Sequence, residues 1–173
     1  TTVKMLMKSD EQEFDAVLRK LFQITLVMGD TLGTAIAQNN KLIIQNAKDH
    51  EKENNRYSDL CIRILYKNRY KYPDNGFAYF ALIRELEQVG DLYKYIAESW
   101  QENKTLVPLY TSVHQFFREY YELYYGFDKD KAALFFEKKS TLLEQCNEQM
   151  QQTTKKDVLT LCHITTLVHA IFN

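Results

Sequence analysis

Apolar residues recur at steps of three and four along most of this chain, the spacing of one face of a 3.6-residue helix. The clearest run is Phe14, Leu18, Leu21, Met28, Leu32 and Ala35. A first helix carrying them continues to about residue 38 and stops at Asn39 and Asn40. Ahead of it, residues 2–7 read as a short extended segment, and Ser9 with Asp10 offers an N-cap before the acidic Glu11 and Glu13.

A second helix, about 41–67, places Ile43, Ala47, Tyr57, Cys61 and Ile64 on one stripe, with His50 and Asn54 between them. Such a polar layer inside a seam predicts buried, hydrogen-bonded groups that fix register. Residues 68–75 read as a loop, because Pro73 disfavours helix at Tyr72 and Asp74 with Asn75 favours turns. A third helix, about 77–102, has the unbroken seam Tyr79, Leu82, Leu86, Val89, Tyr93, Ile96 and Trp100.

The same grammar repeats. A fourth helix, about 106–125, carries Val113, Phe116, Phe117, Tyr120 and Leu123, and Gly126 to Asp128 makes a turn. In a fifth, about 129–152, Ala132, Phe136, Leu143, Cys146 and Met150 are expected to face inward. Residues 153–156 form another turn, and a sixth helix begins near Asp157. Short connections force antiparallel neighbours. The fold expected is therefore all-α: six long antiparallel helices as two three-helix bundles side by side, with repeats at about 9–103 and 104–173.

Composition agrees with this reading. Only 5 glycines and 2 prolines interrupt 173 residues, so there are few breakers and few elements. Lys plus Arg (22) nearly balance Asp plus Glu (23), so the net charge of -1 gives the whole chain no electrostatic pull toward DNA or an anionic membrane. Cys61, Cys146 and Cys162 include no C-x-x-C pair and read as buried reduced thiols.

No apolar run reaches the roughly 18 residues a spanning helix needs, and no signal-peptide pattern opens the chain. The expectation is a cytoplasmic protein without membrane insertion. The chain starts without methionine and stops within the apolar stretch His163 to Phe172, which suggests a fragment with residues 1–8 as a linker and a truncated second repeat.

One segment carries a resemblance. Within residues 77–99, the string Leu86, Glu87, Gln88, Val89, Gly90, Asp91 is followed by Ile96 and Ala97. It resembles the signature helix of PhoU-like phosphate uptake regulators, departing at Gln88, where that family usually carries arginine. The stretches 13–30 and 54–72 are similar to the archaeal branch, in which a PhoU-like module follows a small AbrB-like DNA-binding domain. The resemblance implies phosphate signalling or transcription regulation, a phosphate transporter or signalling protein as partner, and DNA contact only through a missing N-terminal domain.

Glu87 and Asp91 stand four residues apart, so both carboxylates project from one helix face and can share a hard or borderline metal ion. The resemblance implies iron or zinc at this motif. Asp49 and Glu53 have the same spacing, and they and Asp30 are further candidates for that site. Arg84 and Lys94 lie within a turn of the acids, at ordinary ion-pair spacing. The second half has apolar Val168 and Phe172 where a second acidic motif belongs.

No Glu-x-x-His pair, phosphate loop, G-x-S-x-G elbow or H-E-x-x-H string occurs, and the four histidines are scattered. Phe116, Phe117, Tyr120, Tyr121 and Tyr124, with Tyr125, cover more than one helical face, which predicts contact with another subunit in a homodimer. These readings point to a regulatory binding protein rather than an enzyme. The alternative is a helical dimerisation scaffold for an upstream DNA-binding domain, with no ligand of its own.

Overall fold

A computed structural model describes the backbone at residues 2–67 and 75–172, and side chains at 13–40, 49–67 and 75–172. The first helix, α1 (Thr2–Ala37), is longer than its apolar stripe requires. The extended segment and the Ser9/Asp10 cap expected ahead of it are replaced by continuous helix. The local chemistry permits this, since no proline or glycine stands among residues 2–10 and Met, Leu and Lys are good helix formers. At its other end Asn39 takes a left-handed φ of 52°. Asn40 N–H then donates to Ala35 O at 2.8 Å and Asn39 N–H to Ile36 O at 3.2 Å, so the last carbonyls are satisfied as the chain turns.

The second helix, α2 (Lys41–Lys67), returns along α1, and α3 (Gly76–Ser99) packs against both. The expected loop at 68–75 lies outside the described residues apart from Asn75. A single 3₁₀ turn, Lys104–Leu106, leads into α4 (Val107–Tyr125), with Pro108 placed in the first turn, where its missing N–H is not needed. The fifth helix, α5 (Lys129–Gln152), starts at Asp128, whose carboxylate accepts from the backbone N–H of Asp130 and Lys131 at 3.0 and 2.9 Å. Asp157 accepts from the Thr154 hydroxyl at 2.9 Å just ahead of α6 (Val158–Phe172).

Helices α1, α2 and α3 pack on one another, as do α4, α5 and α6. The two sets join where α1 meets α4 and α3 meets α6, so elements in equivalent positions of the two sets face each other. Thr160 of α6 donates to Ser99 O of α3 at 2.7 Å on this seam. The described residues contain helices and no strand, the all-α pair of three-helix sets that the periodicity predicts. Among them, no helix is long and apolar enough to cross a membrane.

The core stripe of α1 is as expected, with Phe14, Leu18, Leu21, Met28, Leu32 and Ala35 all buried. On α5 the expected face is rotated: Phe135, Leu142 and Cys146 are buried, while Phe136 and Met150 are exposed. Cys61 and Cys146 are buried thiols, but Cys162 lies on the exposed face of α6.

Candidate functional site

The polar centre of the molecule forms where α1, α3 and α4 converge, and a glycine makes the room for it. A Cβ at Gly29 would stand 2.2 Å from His114 Nδ1 and 2.8 Å from Tyr93 Cζ. Only a residue without a side chain admits both rings against α1. Tyr110 donates its hydroxyl to Gly29 O at 2.7 Å and lies stacked beside His114, fixing the helix backbone at this point.

From there a single file of hydrogen bonds runs outward. His114 Nε2 lies 2.9 Å from Asp30 Oδ1, and Tyr93 Oη lies 2.7 Å from His114 Nδ1. One guanidinium nitrogen of Arg118 donates to both Asp30 oxygens, at 2.7 and 2.8 Å. Arginine only donates, so Asp30 is the ionised acceptor, and the carboxylate places the imidazole proton on Nε2. Nδ1 is then the acceptor for the Tyr93 hydroxyl, and each group in the file has a matched partner.

Titration behaviour follows from these surroundings. Burial lowers the pKa of His114, opposed by the hydrogen bond and charge of Asp30. Burial acts to raise that of Asp30, but hydrogen bonds from Arg118 and His114 outweigh it and hold the carboxyl below its ordinary value. Burial pushes Tyr93 well above the usual phenol range. The file is thus a neutral phenol, a neutral imidazole, a carboxylate and a guanidinium. Its Tyr93 hydroxyl is enclosed and stays protonated, so the His–Asp pair presents no nucleophile to solvent.

At its outer end the file opens on a cavity of about 520 Å³ between α1, α2 and α4, walled by Asp30, Arg118, Lys20, His50, Glu53 and Tyr121 among others. Two of the sequence-predicted acids, Asp30 and Glu53, therefore share one concavity. Glu87 and Asp91 are not among its walls. They occupy one face of α3 as their spacing requires, but Arg84 donates to Glu87, and Lys94 Nζ lies 3.0 Å from both Asp91 and Glu51 of α2. Asp49 is exposed and 3.7 Å from Lys52. Among the described residues, no three His, Cys, Asp or Glu side chains gather as a metal ion would need.

The aromatic residues of α4 divide. Phe116 and Phe117 are fully buried and belong to the core rather than to an interface. Phe116 stacks on Phe135 with centroids 4.1 Å apart, and Phe117 packs against Phe22 and Tyr93. Phe22 of α1 is ringed by Phe117, Tyr120, Tyr121, Tyr124 and Tyr125. Tyr120 and Tyr121 are half-buried, and Tyr124, at 37%, is the exposed member of the five expected at an interface. The wide apolar arc has an internal cause: α4 packs against three helices, α1, α5 and α6.

Sequence reasoning named Asp30 but missed its partners. His114 and Arg118 lie 84 and 88 residues away, where no local pattern links them to it. The available signal was their own spacing, four apart on one face of α4. Comparison of the chain with protein-family models, with curated proteins and with solved structures gives no match.

Proposed function

We propose that this domain is a regulatory binding module of the PhoU-like kind, acting in phosphate signalling through contacts with other proteins rather than as an enzyme. The observation that supports the reading is the pairing of two three-helix sets through equivalent helices, α1 with α4 and α3 with α6. That arrangement suits an internally duplicated binding domain, and it accompanies the signature-like string from Leu86 to Asp91. The enclosed Tyr93 is consistent with it, since a Tyr–His–Asp file without an accessible nucleophile serves architecture.

The test is removal of the protein from its host, followed by uptake of radiolabelled phosphate at high and low external phosphate. A regulator predicts uptake that no longer follows the external level. Uptake that follows it unchanged overturns the reading.

A second reading is the scaffold with no ligand of its own, and the cations held against Glu87 and Asp91 favour it. Metal titration separates the two. A module using this face for iron or zinc binds the ion saturably and loses it in the Glu87→Ala, Asp91→Ala double variant, whereas a scaffold takes up none in either form.

A further inference from the structure

A second concavity, about 260 Å³, lies between α3, α4 and α6, away from the Asp30 file. Its walls are mostly apolar, with room made by Ala78, Ala81 and Ala170 and with Phe117 and Tyr120 among them. Glu85 is the one charged side chain among the described residues that line it. Among the described residues, Glu85 Oε2 is buried and has no hydrogen-bond partner. An unpaired carboxylate oxygen shut away from water is costly, and a rotation of the Glu85 side chain toward a donor brought into the cleft removes that cost.

We propose that this cleft binds a small apolar amine, with Glu85 accepting hydrogen bonds from its ammonium group and the alanine-lined walls holding its hydrocarbon stem. The walls select the class. Among the described residues they carry no cation, so a carboxylate or phosphate ligand meets only the repulsion of Glu85. A neutral alcohol supplies a hydrogen bond but not the charge, and charge-assisted bonds are about twice as strong. Burial raises the pKa of Glu85, as expected of a carboxylate still lacking its counter-charge. At roughly 30 Å³ per non-hydrogen atom the space admits a six-carbon amine. Neither Glu87 nor Asp91 takes part, so the amine site stands or falls separately from phosphate signalling.

Methyl NMR of the alanine-labelled protein tests it with hexylamine, 1-hexanol and hexanoate as probes. Hexylamine is expected to shift the Ala78, Ala81 and Ala170 signals saturably, 1-hexanol to bind at least tenfold more weakly, and hexanoate to leave them unmoved. Glu85→Gln should weaken hexylamine at least tenfold while leaving 1-hexanol as before. Ala81→Leu, at an exposed position that tolerates a larger side chain, should fill the cleft and abolish both. Equal affinity for amine and alcohol, unchanged hexylamine binding in Glu85→Gln, or no saturable shift of the three methyls overturns the proposal.

Discussion

Gly90 of α3 lies so close to Asn54 of α2 that a methyl group in its place would stand 2.7 Å from Asn54 Oδ1. The Asn54 amide donates to Thr25 Oγ1 at 2.7 Å, and the Thr25 hydroxyl donates to Leu21 O at 2.9 Å. Asn54 and Thr25 are fully buried, so Asn54 is the buried, hydrogen-bonded member of the polar layer expected on the second helix, and it reaches both α1 and the Leu86 carbonyl of α3; His50, the other expected member, is half-buried and lines the Asp30 cavity instead. The glycine within the signature-like string has a packing reason on this account: it leaves room for an asparagine.

Gly90→Ala should therefore destabilise the domain. Alanine gains about 1 kcal/mol of helix propensity over glycine. Displacing a buried amide from its partner loses about 1–3 kcal/mol, and overpacking adds about as much again. A net loss of about 1–5 kcal/mol is expected in urea unfolding, with part of it recovered when Asn54→Ala is combined with Gly90→Ala. A Gly90→Ala protein more stable than the parent contradicts the assignment.

The His114 file makes stability depend on pH. Free imidazole titrates near 6.5, and burial holds the folded His114 below that value despite the opposing hydrogen bond from Asp30. Below pH 6.5 the unfolded chain takes up a proton that the folded chain resists. The stabilisation is thus complete above that pH and is lost as the pH falls through the lower folded value. Asp30, held below its ordinary 3.8, adds a second loss only in more acid solution. His163 is also lowered by burial, so the contribution of His114 is read by difference: the fall in the urea midpoint from about pH 7 to about pH 5 should be smaller in His114→Gln. Equal falls in the two proteins exclude His114 as the source.

How far the sequence could be read depended on how many neighbours each helix has. The stripe on α1 is spaced cleanly enough that its period names the core. On α4, three packed neighbours widen the apolar arc, and from the sequence that width suggests a second subunit until Phe116 and Phe117 are seen inside. Arg84 and Lys94 were legible as partners of Glu87 and Asp91 from their spacing within α3, but partners on other helices were not. Glu51 reaches Lys94 across 43 residues, and Arg118 reaches Asp30 across 88, so no local spacing announces either pair.

Thiol reactivity separates the three cysteines. Cys162 is exposed and is expected to react with a soluble maleimide in the folded protein. Cys61 is buried among core side chains, its pKa pushed up to about 12 by desolvation, and Cys146 is raised by burial as well. Both should remain unmodified until denaturant is added, because the thiolate is the reactive form. Mass spectrometry should therefore find one label per folded chain, at Cys162. Labelling of Cys61 at a comparable rate in the native protein contradicts the packing of α2.

The register of α5 gives the sharpest contrast between neighbouring residues. Its apolar side chains come in adjacent pairs, Phe135 with Phe136 and Leu142 with Leu143, so periodicity alone does not choose which member faces inward. The neighbours choose. Phe135 lies at 7% exposure with Phe116 stacked on it, whereas Phe136 is 60% exposed and touches Phe172 edge-on. Phe135→Ala should then cost about 3–5 kcal/mol, the range for emptying a buried phenylalanine site. Phe136→Ala loses one edge contact worth about 0.5–1.5 kcal/mol beyond its small burial. Paired denaturation curves read the difference directly. If Phe136→Ala proves as damaging as Phe135→Ala, α5 is rotated by about 100° toward the face its sequence pattern first suggests, since each residue advances the helix by that angle.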